Sequence, residues 1–227
     1  MTVVVRVSAD GDELAGLAER AAGVPDERGE ASTARRIVGI AGEPGAGKSL
    51  LAETLVAMLA PRASGVPLDG FHLADRELDR QGLRDRKGAP ETFDAWGYAA
   101  LLGRLRGRRP HTVYAPGFER ALEQPLAGAV AVAPEVAVVV TEGNYLLVDR
   151  PEWQAARAQL DEVWFVQVDR ALRLDRLVAR HEAFGKHPDE ARRWVQEVDE
   201  PNARLIAFTA HRADVVVDLT DWAPSGR

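Results

Sequence analysis

The chain has 227 residues, 46% of them hydrophobic and 28% charged, a composition that excludes disordered, collagen-like and mucin-like proteins. With 29 Lys+Arg against 35 Asp+Glu, the formal net charge is −6, which argues against a duplex DNA binder because that affinity comes mostly from phosphate neutralisation. There is no cysteine, so disulfide scaffolds, thiol nucleophiles and cysteine-ligated zinc are excluded.

The first seven residues are followed at once by Asp10, Asp12 and Glu13 and do not read as a signal peptide. No stretch approaches the roughly 18 apolar residues of a membrane helix. A cytoplasmic protein without membrane or nucleic-acid partners is expected. Residues 1–34 read as an N-terminal extension, with a short strand at 2–7, a helix at 12–22 capped by Asp10, and a polar connector. From residue 35 to 227 the pattern is that of one domain. Buried strands are expected at 36–41, 136–141, 162–168 and 215–219, with shorter ones at 65–68 and 112–114. Helices are expected at 48–59, 92–108 (capped by Thr92 or Asp94), 151–160, 170–184, 188–198 and 201–209. Short apolar strands alternating with helices predict an α/β fold, a mostly parallel sheet with helices on both faces.

Gly42-Glu43-Pro44-Gly45-Ala46-Gly47-Lys48-Ser49 fits G-x-x-x-x-G-K-[ST], and it follows one expected strand and opens a helix. This is the P-loop NTPase pattern. Its glycines let backbone N–H groups turn inward on phosphate oxygens, and the helix N-terminus adds partial positive charge. Gly42, Gly45, Ala46, Gly47, Lys48, Ser49 and Leu50 are therefore expected to bind ATP. Lys48 would reach the β/γ-phosphates and the Ser49 hydroxyl would ligate Mg²⁺. The loop alone does not separate GTPases, ATPase motors and kinases. A guanine-specific Asn/Thr-Lys-x-Asp element is missing, since lysine occurs only at 48, 87 and 186. Such scarcity leaves lysine where a compact ammonium does what a guanidinium cannot.

Asp69 lies at the carboxyl end of the strand candidate at 65–68, the edge at which a parallel sheet meets ligands. It suits either the orientation and deprotonation of an acceptor hydroxyl or the capping of a turn. Arg173, Arg176 and Arg180 recur at helical spacing, which fits a lid over the transferring phosphate or a solvated stripe. Lys186, in the following turn, favours the lid, a helical element at about 170–187. Arg104, Arg106, Arg108 and Arg109 read as a solvated helix end.

Asp69-Gly-Phe-His72, then Arg86-Lys87-Gly-Ala-Pro-Glu-Thr-Phe-Asp94, resembles bacterial pantothenate kinase and the wider uridine kinase/phosphoribulokinase group of P-loop kinases. Tyr114-Ala-Pro-Gly-Phe118-Glu-Arg120, Glu142-Gly-Asn-Tyr-Leu-Leu, Arg180-His-x-x-x-Gly-Lys186 and Glu200-Pro-Asn-Ala-Arg-Leu extend the likeness, which is greatest to a nucleoside/nucleotide kinase branch sometimes labelled fructose-transport kinase. The resemblance implies Asp69 as catalytic base. It also implies Arg86 and Lys87 near the acceptor or the transferring phosphate, and Tyr114 and Phe118 lining the acceptor pocket with His72 as a wall. Asn144 would shape the same crevice, Glu142 would support Mg²⁺, and His211 and Arg212 would approach the adenine. The resulting expectation is an ATP- and Mg²⁺-dependent small-molecule kinase acting on a nucleoside, sugar or pantothenate-like hydroxyl. A P-loop ATPase serving as switch or chaperone for a protein partner is the alternative, and a homodimer is left open.

Overall fold

Strand β2 (Arg36–Gly42) is buried from Ile37 to its end, and it owes that apolar run to being covered on both sides. Ile37 and Ala41 face one hydrophobic layer, Val38 and Ile40 the other. The same split holds in β6 (Val138–Glu142), with Val139 on the first side and Val138 and Val140 on the second, and in β7 (Glu162–Gln167), with Phe165 opposite Trp164 and Val166. The computed structural model describes residues 2–23 and 34–222, and in it these strands form the centre of a six-stranded, all-parallel sheet ordered β1-β8-β7-β2-β6-β3. The remaining strands are β1 (Val3–Arg6), β3 (Ala63–Pro67) and β8 (Val215–Asp218).

Helices α1 (Glu13–Ala22) and α2 (Lys48–Met58) cover one face, while α4 (Ala95–Arg106) and α5 (Pro151–Arg157) cover the other. Helix α4 starts where the sequence offered a cap: the Asp94 carboxylate accepts from the Gly97 N–H at 2.8 Å. Between β3 and α4 lie α3 (Asp75–Gln81) and three 3₁₀ turns, at Leu68–Phe71, Arg84–Arg86 and Pro90–Thr92. After β7 come α6 (Arg170–Ala183), α7 (Pro188–Trp194) and α8 (Glu200–Ala207), the last two joined by a π-helical turn at Val195–Asp199.

Two expectations change. Residues 3–22 are no appendage: β1 pairs in parallel with β8, Val3 opposite Val215, and α1 buries Leu14, Leu17, Ala18 and Ala21 in the layer that also holds Leu51 and Leu55 of α2. The connector at 24–33 lies outside the described residues. Secondly, the strand expected at 112–114 is one arm of an antiparallel hairpin of β4 (Val113–Glu119) and β5 (Gln124–Val132). The hairpin sits on the turn that follows β3. A Cβ on Gly70 would lie 2.4 Å from the Pro116 carbonyl oxygen, so only glycine allows that approach.

Candidate active site

A parallel sheet delivers the end of every strand to one edge, and the chemistry of this chain collects there. Pro67 of β3 and Ile40 of β2 both pair with Glu142, the last residue of β6. The phosphate loop leaves β2 beside Glu142 on one side, and Asp69 leaves β3 beside it on the other. Lys48, Ser49, Asp69 and Glu142 all line one cavity of about 440 Å³, together with His72, Lys87, Phe118, Asn144 and Arg180. A larger hollow of about 540 Å³ over His187, Glu190, Arg193 and Trp194 is an open surface that holds none of Lys48, Ser49, Asp69 or Glu142 and shares only Trp194 with this cavity.

Gly45 and Gly47 hold φ of +81° and +98°, the backbone that turns successive N–H groups toward a common point. Lys48 is buried, and its Nζ donates to the Glu43 carbonyl at 3.0 Å. Burial pulls its pKa down to about 8, against the upward pull of Glu142 and Asp69. Glu142 also lines the cavity and is half-buried. Burial, with the charge of Asp69, pushes its pKa up to about 7, and Lys48 and the Ser49 hydroxyl oppose that rise. Ser49 Oγ lies 3.3 Å from Glu142 Oε1. These two oxygens form a hard donor set, and a carboxylate so placed gains from a cation. The pair therefore fits a Mg²⁺ that keeps its waters and takes phosphate oxygens. Among the described residues no group of three or more His, Asp or Glu side chains could cage a metal unaided.

On the opposite wall, Asp69 Oδ2 accepts from Arg120 Nη2 at 2.9 Å. The His72 ring packs 4.0 Å from Phe93 and 5.0 Å from Phe118, centroid to centroid, and its Nδ1 is 2.8 Å from the Asp69 carbonyl. Burial lowers the His72 pKa, so at neutral pH the ring is an uncharged hydrogen-bonding wall. Lys87 Nζ meets Asp75 at 2.7 Å and the Glu123 carbonyl, and lies 5.6 Å over the Phe118 ring. An ammonium held by three partners in three directions suits lysine and not a planar fork. Lys87→Ala is expected to raise the acceptor KM about tenfold with nucleotide affinity unchanged, and Lys87→Arg to rescue it poorly, as measured by steady-state kinetics. Full rescue by arginine would show that the shape of the cation is irrelevant.

From α6, Arg180 reaches the cavity, and the Arg176 guanidinium lies beside the phosphate loop, 3.7 Å from where a Cβ on Gly47 would stand. Arg173 does not join them, for it is 2% exposed and tied to Glu43 and Glu200. Lys186 folds over the Trp194 ring at 4.8 Å on the same wall.

Four sequence candidates fall elsewhere. Arg86 is spent on Glu91 at 2.5 Å and points outward, whereas Arg84, paired with Asp75 at 2.7 Å, lines the cavity. Tyr114 is 61% exposed on the hairpin and outside the cavity. His211 and Arg212 precede β8, so they stand at the amino ends of the strands. His211 Nδ1 lies against the Phe208 carbonyl at 2.9 Å, and Arg212 pairs with Asp149 at 3.2 Å. What adjoins the phosphate loop is the residue that follows β8, Leu219, whose Cδ1 is 3.4 Å from the Cβ position of Gly47. Sequence reasoning also missed Arg120, although it closes the Tyr114-to-Arg120 motif. Asn202 escaped as well, although it stands in the Glu200-Pro-Asn motif, and so did its neighbour Asp199; both line the cavity.

No protein-family model matches the chain. It is 41% identical over 131 residues to the "ATP-dependent kinase-like protein notR'" of Aspergillus versicolor, covering 55% of this chain and 76% of that protein. Over 160 residues it is 32% identical to the "Putative uridine kinase C227.14" of Schizosaccharomyces pombe, covering 66% and 68% respectively. The crystal structure of a "putative fructose transport system kinase" from Silicibacter sp. TM1040 superposes with a TM-score of 0.79 at 38% identity, over 89% of this chain and 98% of that one. A matching fold, relatives matched over most of their length, and a phosphate loop facing two strand-end carboxylates agree: the chain belongs to the P-loop kinases, among uridine kinase-like relatives.

Proposed function

We propose that the protein transfers the γ-phosphoryl group of ATP to a hydroxyl of a small molecule, a nucleoside, a sugar or a pantothenate-like alcohol. The observation that carries this reading is the pair of carboxylates at adjacent strand ends, Asp69 and Glu142, sharing one cavity with Lys48. The two differ in their partners. Glu142 stands against Ser49, on the phosphate-loop side, and suits metal support. Asp69 faces the wall of His72, Phe118 and Lys87, where an acceptor would lie, and suits general-base work.

In this reading the ATP phosphates lie along residues 42–49, with the adenine toward Leu219. Mg²⁺ held by Ser49 and Glu142 supplies charge neutralisation of the phosphates when bound. Asp69 accepts the proton of the acceptor hydroxyl while that oxygen forms a bond to the γ-phosphorus and the bond to the β–γ bridging oxygen breaks, releasing ADP. Lys48, Arg176 and Arg180 donate hydrogen bonds to the oxygens on which charge gathers. Because Arg120 occupies Asp69 Oδ2 at 2.9 Å, an acceptor hydroxyl must share that carboxylate with a guanidinium, and this helps fix the carboxylate's orientation.

The test is a panel of candidate acceptors offered with ATP and Mg²⁺: nucleosides, pantothenate, fructose and other sugars, glycerate and ribulose 5-phosphate. ADP formation is expected to rise well above background with one small alcohol. A panel in which none raises it, while a protein partner does, would favour the switch ATPase.

A further inference from the structure

Arg173 shares its helix with Arg176 and Arg180, yet its surroundings are of another kind. Its guanidinium uses all three nitrogens: Nε faces Glu43 Oε1 at 3.5 Å, Nη1 donates to the Pro44 carbonyl at 3.4 Å, and Nη2 is bonded to Glu200 Oε1. The other Glu200 oxygen accepts from Arg170 Nη2 at 2.6 Å. Glu200 is 6% exposed. The loop also leans on the backbone of α6, for a Cβ on Gly45 would stand 2.9 Å from both the Arg173 carbonyl oxygen and Leu177 Cγ.

The π-turn at Val195–Asp199 matters here. In a regular helix consecutive side chains diverge by about 100°, but Asp199 and Glu200 both reach α6. Asp199 meets His181 Nε2 at 2.8 Å, and Glu200 meets Arg173 and Arg170. A widened turn is a recurrent device for such placement at functional sites. The helix that carries Asp199 and Asn202 on the cavity wall is thus clamped, through Glu200 and Arg173, to residues 43–45 of the phosphate loop.

We propose that Arg173 and Glu200 are positioning residues that hold the first half of the phosphate loop in its nucleotide-binding shape before the nucleotide arrives. This rests on the reading of residues 42–49 as the nucleotide site. A loop already ordered does not lose that freedom on binding, so the brace strengthens affinity without touching the ligand. Lysine cannot replace Arg173, because one ammonium does not span three acceptors set around a planar fork.

The experiment measures the Kd of Mg·ADP by calorimetry, well below each variant's Tm. Arg173→Lys keeps the charge and loses the fork, and it is expected to weaken binding about tenfold. Glu200→Gln gives a sharper sign. Loss of a negative charge near the phosphates would by Coulomb attraction alone tighten ADP binding, whereas loss of the clamp weakens it. A weaker Kd in Glu200→Gln, and in Arg173→Lys where that variant folds, supports the brace. An unchanged or tighter Kd in folded Glu200→Gln overturns it, even if the Tm falls, because a lower Tm alone is what a merely structural role gives. If the wild type itself binds no ADP, the nucleotide-site reading fails, and the brace with it.

Discussion

Lys48→Ala is expected to lower phosphoryl transfer by at least about 10²-fold while the protein still folds. The buried Nζ shares the cavity with the two strand-end carboxylates, Glu142 and Asp69, and both raise its pKa against the downward pull of burial. Without it the β/γ-phosphates lose a charged donor. Glu142 loses an opposing charge as well. The fold should survive because Lys48 fills no hydrophobic layer and its burial already opposes its own charge. Lys48→Met, which keeps the apolar stem, separates packing from charge: equal loss of turnover in both variants, at similar Tm, assigns the effect to the ammonium. Wild-type turnover in either would remove the phosphate-loop assignment.

Asp69→Asn is expected to lower kcat by about 10²–10⁴-fold and to leave nucleotide affinity nearly unchanged. The amide preserves the volume of the side chain but cannot take the proton of an attacking hydroxyl. It also ends the ion pair with Arg120, so the acceptor KM should shift modestly. Stopped-flow or steady-state kinetics with separately measured ADP binding make the split visible. A collapse of ADP affinity with little effect on kcat would mean that Asp69 serves the metal and Glu142 the proton, the reverse of the proposed roles.

The parts of the site that could be read in the sequence are those whose chemistry is local. The phosphate loop declares itself because its glycines, Lys48 and Ser49 must be contiguous and must join a strand to a helix. Asp69 and Glu142 are legible because an apolar run ending in an acid places that acid at the carboxyl edge of a parallel sheet. The same rule could have excluded His211 and Arg212, which precede their strand and so stand at the wrong edge. Other features are invisible for physical reasons. Arg173 and Arg176 look alike in helical spacing, and only the partners Glu43 and Glu200, the latter 27 residues away, bury one of them. Arg84 and Arg86 sit two apart in an irregular turn, where periodicity carries no information about direction. Strand β1 pairs with β8 across more than two hundred residues, and β5 is made largely of Gly, Ala, Pro and Val, a composition that also suits a loop.

The most direct test of the central claim follows the label from [γ-³²P]ATP in the presence of the acceptor panel. Transfer to an alcohol predicts that the label appears on one small acceptor, one per ADP formed, and that ADP formation nearly stops without it. Label found only in inorganic phosphate, at a rate no small acceptor changes, would contradict the phosphotransferase reading and leave an ATPase in its place.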